Sequence, residues 1–154
     1  MADIAIKSAN LNDMGTLLEI EQRIIEVERP FDNELKTESI SYYDLEALIL
    51  SSKAEVLVAE INNKIVGSGY AEIRKSKSYL KHRYHSYLGF MYVEPTFRGK
   101  GINKLILDSL KEWSKSQQVF HFSLDVYADN QVAIRAYEKA GFKSNLIEMS
   151  VSFD

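Results

Sequence analysis

The feature that most constrains the fold is a strand, a tight turn and a helix in immediate succession after Tyr87. An apolar run over residues 87–93 predicts a buried strand, Pro95 interrupts it, and apolar residues return at helical spacing after Gly101. The intervening Gly99-Lys100-Gly101 turn leaves backbone N–H groups without partners at the positive end of the helix. Such a turn is typical of a phosphate-binding site.

The composition narrows the class of protein. A chain of 154 residues with 45% hydrophobic and 27% charged residues predicts a single domain over residues 1–154. Its net charge of −3 argues against a nucleic-acid or membrane-surface binder. The absence of cysteine excludes disulfides, thiolate metal sites and a cysteine nucleophile. No apolar run is long enough to cross a membrane and no signal-peptide pattern is present, which predicts a cytoplasmic protein.

The remaining elements follow from periodicity and from turn and capping residues. Asn10 and Asp13 predict the start of a first helix, Pro30 its end, and Gly141 the end of a fourth helix. Asn62 and Asn63 predict the tight turn of a hairpin. The predicted strands are 4–8, 55–61, 65–74, 87–93, 119–127 and 143–153, and the second, third and fourth helices are 35–50, the segment after Gly101, and 131–140.

This element order, β-α-α-β-β-β-α-β-α-β, predicts an α/β fold. The strand–helix–strand unit around the third helix implies a right-handed parallel crossover, and the early hairpin makes the rest of the sheet antiparallel. We therefore expect a mixed, mostly antiparallel sheet with helices on both faces.

Two segments resemble the signature motifs of the GCN5-related N-acetyltransferase (GNAT) superfamily. Residues 93–102 resemble motif A, whose core is Arg or Gln, two residues, Gly, one residue, then Gly or Ala; Arg98 and Gly101 match, and Asn103 occupies the last position. Residues 125–142 resemble motif B, with its Asn, Ala-Ile, Tyr-Glu-Lys and Gly-Phe landmarks. The two motifs stand in the expected order, and the predicted elements match the fold of the superfamily over nearly the whole chain.

The resemblance implies acetyl-CoA as cosubstrate and no metal. The turn and the first helical turn would hold the pyrophosphate, and the fourth strand would pair with the pantetheine arm where the fourth and fifth strands splay apart. Asn130 would contact the cosubstrate at the start of the fourth helix. The implied cofactor-binding residues are Met91, Tyr92, Val93, Arg98, Gly99, Lys100, Gly101, Ile102, Asn103, Lys104 and Asn130.

The resemblance also implies direct transfer of the acetyl group to a primary amine of a small molecule, peptide or protein. Tyr137 matches the tyrosine beside the sulfur and would act as general acid for the thiolate, while a backbone N–H of Tyr92 or Val93 would stabilise the oxyanion. The candidate bases are Asp125 and Glu72, with a water relay as the alternative.

Other interpretations stay open at this point. Gly99 and Gly101 could serve only a tight turn, and Tyr137 could be a core residue. The protein could be a GNAT-fold module that senses acetyl-CoA without transferring the acetyl group. The basic, aromatic segment 74–85 could contact RNA, or it could shape an acceptor site opposite residues 42–44. The last predicted strand is a candidate edge for a homodimer.

Overall fold

Five strands form one sheet in the order β1-β2-β3-β4-β5. A computed structural model describes residues 3–153; residues 1, 2 and 154 of the predicted domain lie outside this range. Strands β1 to β4 pair antiparallel and β5 runs parallel to β4. The strands are β1 (Ala5–Ser8), β2 (Ala54–Ile61), β3 (Lys64–Lys75), β4 (Tyr84–Val93) and β5 (Phe122–Ser123), and the helices are α1 (Met14–Glu28), α2 (Leu45–Leu50), α3 (Ile102–Ser116) and α4 (Gln131–Lys139).

The predicted turn and capping residues act as expected. The Asn10 side chain accepts from the backbone of Asn12, and the Asp13 carboxylate accepts from the backbone N–H of Asn10, so the two residues cap the entry to α1. Asn62 and Asn63 both have positive φ, as the two-residue hairpin between β2 and β3 requires. Gly141 has a φ of 98° and ends α4.

Both faces of the sheet are covered by helices, which confirms the predicted α/β fold class. Alternate residues of β2 point to opposite faces, so Val56 and Val58 pack with α1 and α2, while Leu57 and Ala59 pack with α3. None of the described helices is both long enough and apolar enough to span a membrane.

The predicted second helix over residues 35–50 is wrong in its first part, because α2 begins only at Leu45. The carboxylate of Glu21 on α1 is buried and accepts from the backbone N–H groups of Tyr42 (2.9 Å) and Tyr43 (2.8 Å). These bonds hold the preceding segment in an irregular path. Asp44 then caps α2, since its Oδ1 accepts from the Ala47 N–H.

Two predicted strands are also corrected. The strand predicted over 119–127 is paired only at Phe122–Ser123, because β5 separates from β4 beyond that point. The strand predicted over 143–153 forms no ladder with any strand of the described chain. Its alternating apolar pattern is that of a strand, but strand structure needs a neighbouring edge to pair with.

Candidate active site

A cleft opens where β4 and β5 part. The two strands pair only at Ser86 with Phe122 and at Tyr87 with Ser123, whereas β4 continues to Val93. Within the part of the chain that the structure describes, the side of β4 that faces β5 is therefore unpaired beyond Leu88. An extended ligand can pair with such an edge through backbone hydrogen bonds.

The open part of β4 contains a bulge. The register between β3 and β4 shifts between Ser68 and Tyr70, and opposite this shift Phe90 has a φ of 58°. Left-handed backbone at a bulky residue costs about 1–3 kcal/mol and persists only where the surroundings hold it. Here the buried Ser68 hydroxyl donates to the Phe90 carbonyl at 2.8 Å. The bulge changes the direction of the backbone N–H and C=O groups at the open edge.

The predicted phosphate-binding turn follows β4. Gly99 and Gly101 have φ values of 79° and 80°, and a Cβ built at either glycine would have no neighbouring atom within 4 Å. Leu105 is the first residue of the helix whose backbone N–H is bonded, to the Gly101 carbonyl at 3.1 Å. Within residues 3–153, the backbone N–H groups of residues 99–104 have no hydrogen-bond acceptor. The turn thus offers open space and backbone donors at the positive end of α3.

The basic side chains of the turn differ in their partners. Arg98 donates from Nε to the Val93 carbonyl at 3.0 Å and so connects the turn to the end of β4. Lys104 forms an ion pair with Asp108 at 2.6 Å. Lys100 is exposed and its ammonium lies 5.7 Å from the centre of the Phe97 ring. Asn103 is half-buried beside them.

Helix α4 presents the predicted Asn130 and Tyr137. Asn130 caps the helix, because its Oδ1 accepts from the Ala133 N–H at 3.2 Å. Tyr137 is half-buried and meets Phe142 edge-on, with 5.8 Å between ring centres. Burial raises the pKa of Tyr137, and the negative charge of Glu28 at the end of α1 raises this pKa further. The hydroxyl is therefore held in its protonated form.

The two predicted bases belong to one cluster. Arg74 donates from Nε to Glu72 Oε1 at 2.8 Å, and its guanidinium lies 3.9 Å from the centre of the Tyr87 ring. The Tyr87 hydroxyl donates to Asp125 Oδ2 at 3.0 Å. Burial raises the pKa of Tyr87, and the Asp125 carboxylate adds to the effect. The fold thus connects Glu72 and Asp125, which are far apart in the chain, through Arg74 and Tyr87.

Sequence reasoning missed a second group of polar residues, which we call the acidic cluster: Glu28, Asp32, Tyr42 and Tyr127. Burial raises the pKa of Glu28 above its usual range. The Tyr127 hydroxyl donates to Asp32 at 2.8 Å, and burial followed by this bond raises the pKa of Tyr127 to about 12. The Tyr42 hydroxyl is buried without a hydrogen-bond partner in the described chain. No sequence signal identifies Glu28, which resembles any acidic residue near the end of a helix.

A few side chains of the basic segment 74–85 make contacts of their own, although most of the segment is exposed. Arg74 belongs to the cluster above, and the buried Ser76 hydroxyl makes hydrogen bonds with ring nitrogens of His82 (2.6 Å) and His85 (2.9 Å). His82 also stacks on His121, with 3.7 Å between ring centres. Among the described residues no group of three histidine or acidic side chains is arranged to hold a metal ion.

Comparisons with known proteins agree with this geometry. A curated relative, an uncharacterised N-acetyltransferase YycN of Bacillus subtilis (strain 168), is 39% identical over 61 residues, which are 40% of this chain and 38% of that protein. The structure superposes on a mutant form of the BH1408 protein of Bacillus halodurans with a TM-score of 0.86, at 21% identity and with 97% and 99% of the two chains covered. It also matches a predicted acetyltransferase of Clostridium acetobutylicum solved with acetyl-CoA, with a TM-score of 0.73, 20% identity and coverage of 97% and 96%.

The likeness to solved structures extends over almost the whole described fold, and the match to a family profile covers most of the sequence. The profile of the Acetyltransferase (GNAT) family matches residues 20–142, a range that includes the bulged strand, the glycine turn and helix α4. The chain therefore belongs to the GNAT family of acetyltransferases.

Proposed function

We propose that this protein transfers the acetyl group of acetyl-CoA directly to a primary amine of a small molecule, a peptide or a protein. The observation that carries the proposal is the continuity between the open edge of β4 and the unpaired N–H groups of residues 99–104. A ligand with an extended amide-containing arm and a pyrophosphate at one end matches both features.

In this proposal each part of acetyl-CoA has its own contacts. The pyrophosphate takes the backbone N–H groups from Gly99 to Lys104, with Lys100 adding positive charge. The pantetheine arm pairs with the backbone of residues 91–93. Asn130 lies at the start of α4 and would contact the cosubstrate while capping that helix. Asn103 keeps the backbone N–H that a glycine or alanine would supply, and its side chain lies beside the phosphates.

The chemistry requires a neutral amine, stabilisation of an oxyanion and a proton for the leaving thiolate. The amine nitrogen attacks the thioester carbonyl and forms the new C–N bond, and a backbone N–H of Tyr92 or Val93 donates to the oxyanion. Collapse of this intermediate breaks the C–S bond. Tyr137 donates its proton to the departing sulfur, since its hydroxyl carries that proton at neutral pH.

Three carboxylates are candidates to take the proton from the amine. One oxygen of Glu72 accepts from Arg74 and one oxygen of Asp125 accepts from Tyr87, so each keeps one oxygen for a substrate or a water. Glu28 adds a third candidate, since burial raises its pKa towards neutrality and its charge acts on Tyr137. The Glu28 and Asp32 carboxylates also favour an acceptor that arrives as a cation.

The proposal is tested by measuring thiol release from acetyl-CoA over a panel of small amines, polyamines and amino-terminal peptides. We expect at least one cationic amine to release thiol, and Tyr137→Phe to lower kcat by roughly 100-fold or more with little change in acetyl-CoA affinity. Tyr79→Phe is the matched control, because Tyr79 is exposed in the segment between β3 and β4. Equal turnover in wild type and Tyr137→Phe would contradict the role of Tyr137.

The base is identified from pH–rate profiles of Glu28→Gln, Asp125→Asn and Glu72→Gln. In the variant that lacks the base, the fall in rate towards acidic pH disappears. If this fall persists in all three variants, a water relay takes the proton. A protein that binds acetyl-CoA but releases no thiol with any amine or peptide would instead support the acetyl-CoA-sensing module.

A further inference from the structure

The basic segment 74–85 concentrates positive charge on a protein whose net charge is negative. Residues 73–93 contain no acidic residue, and the segment carries Arg74, Lys75, Lys77, Lys81 and Arg83. Arg74 is paired with Glu72, but the other four are exposed and form no ion pair with any described residue. A local surface of this kind attracts an anionic partner.

The segment is tied together at its base. The Ser76 N–H donates to the Arg83 carbonyl at 2.9 Å, and the Ser76 hydroxyl bonds to ring nitrogens of both His82 and His85. His82 in turn stacks on His121, which lies outside the segment just before β5. The positive side chains therefore project from a loop whose shape is already set, which lowers the entropy lost on binding.

The basic segment leads directly to the mouth of the cleft. It runs into β4 just before Ser86 and Tyr87, the two residues that pair with β5. Arg74 lies over the Tyr87 ring, and the Tyr87 hydroxyl donates to Asp125. A partner bound to this segment thus lies beside the candidate active site.

A row of four tyrosine rings connects the segment with the acidic cluster. From Tyr87 the row continues to Tyr70, 6.4 Å away between ring centres, and then to Tyr43 at a further 5.6 Å. Tyr42 follows at 5.7 Å and belongs to the acidic cluster. Tyr70 is buried, whereas the other three are half-buried and keep part of their surface accessible. The row spans at most about 18 Å, the length of roughly five extended residues.

The two ends of this tyrosine row carry opposite charge. Glu28 and Asp32 stand at one end, and the charge of Glu28 acts on Tyr137, the proposed general acid. The basic segment stands at the other end. A matching acceptor presents a cationic amine at one end and carboxylates at the other, with an extended chain between them.

We propose that the acceptor is a peptide or protein amine separated by about five or more residues from acidic side chains that bind the basic segment 74–85. The inference deepens the proposed function and rests on it. A nucleic acid fits less well, because its phosphates would also meet Glu28, Glu72 and Asp125. The amino groups of its bases are conjugated with their rings and are poor nucleophiles, whereas a peptide supplies an aliphatic amine.

Binding of labelled decapeptides to the full chain, followed by fluorescence polarisation, tests the docking step without any chemistry. Each peptide has one free amine, at its first residue, and either glutamates or glutamines at positions 6–9. We expect the glutamate peptide to bind about tenfold more tightly, and this preference to shrink as salt rises. Lys77→Glu with Lys81→Glu should abolish the preference. The matched control is Lys115→Glu with Lys139→Glu, an equal charge change at exposed positions in the last turns of α3 and α4, which should retain it.

Thiol release with the same two peptides then connects docking to turnover. The glutamate peptide should have a KM about tenfold lower at similar kcat, because the segment binds the peptide away from the reacting atoms. Equal binding of the two peptides, or a preference that survives Lys77→Glu with Lys81→Glu, would overturn this inference even if small amines are acetylated. A single-stranded RNA oligonucleotide that binds more tightly than the glutamate peptide would also overturn it. Preferential binding without thiol release from any amine would support the docking surface and contradict the proposed function.

Discussion

Replacing Glu21 is the sharpest test of how α1 holds the irregular segment that precedes α2. Glu21 is only 1% exposed, and its Oε2 accepts from the backbone N–H groups of both Tyr42 and Tyr43. Those bonds determine where the irregular segment ends and α2 begins. They also hold Tyr42, whose buried hydroxyl belongs to the acidic cluster.

The magnitude follows from the two bonds. A hydrogen bond to a charged group contributes about 1.5–3 kcal/mol, so the loss of two in Glu21→Ala should lower the free energy of unfolding by roughly 3–6 kcal/mol. That is a large part of the roughly 5–15 kcal/mol of a typical domain. At about 2–4 °C per kcal/mol for a chain of this size, Tm should fall by roughly 6–24 °C. Glu21→Gln keeps one carbonyl acceptor but loses the charge, so we expect about half that loss.

The assay is urea unfolding followed by circular dichroism, with Glu19→Ala as the control on the exposed side of α1. We expect Glu19→Ala to lie within about 0.5 kcal/mol of wild type. A Glu21→Ala protein within about 1 kcal/mol of wild type would refute the reasoning, because the two amides would then not depend on this carboxylate.

Three further changes test other parts of the account. Burial, together with the charge of neighbouring histidines, lowers the pKa of His85 and of His121 below 6.5. The stability that these histidines contribute is therefore present above pH 6.5 and is lost as the pH falls through their folded pKa. The urea midpoint should decline from pH 7.5 to pH 5, and it should decline less steeply in His121→Gln. Gly89→Ala would place a Cβ 2.7 Å from Cζ of Tyr70, so it should lower the free energy of unfolding by about 1–3 kcal/mol. A loss near zero would show that the Tyr70 ring moves freely. Asn130→Ala removes the α4 cap, and we expect a loss of about 1 kcal/mol by the same assay, whereas an unchanged midpoint would mean that α4 starts without it.

Sequence reasoning succeeded where the signal is local. The Asn62-Asn63 turn, the glycine turn and the end of α4 at Gly141 depend on backbone conformations that only a few residue types adopt readily. The amphipathic stripes of α1 and α3 depend on spacing alone. These elements, with the two motifs, were sufficient to predict the fold class and the family.

It failed where a distant residue decides the local structure. The start of α2 depends on Glu21, which lies 21 residues before Tyr42, and nothing in the sequence pairs them. The shortness of β5 depends on its separation from β4, and the acidic cluster assembles residues from 28 to 127. The strand predicted over residues 143–153 is not formed in the described chain, because sequence carries no record of which edge a strand pairs with.

The central claim is that the Gly99–Lys104 turn binds the pyrophosphate of acetyl-CoA, and calorimetric titration tests it most directly. We expect wild type to bind acetyl-CoA and CoA, and to bind pantetheine, which lacks the pyrophosphate, at least about tenfold more weakly. Gly101→Asp, whose Cβ and carboxylate would enter the open space of the turn, should lose acetyl-CoA binding, whereas Gly15→Asp on the exposed start of α1 should retain it. A wild-type protein that does not bind acetyl-CoA, or a Gly101→Asp protein that binds it unchanged, would contradict the claim.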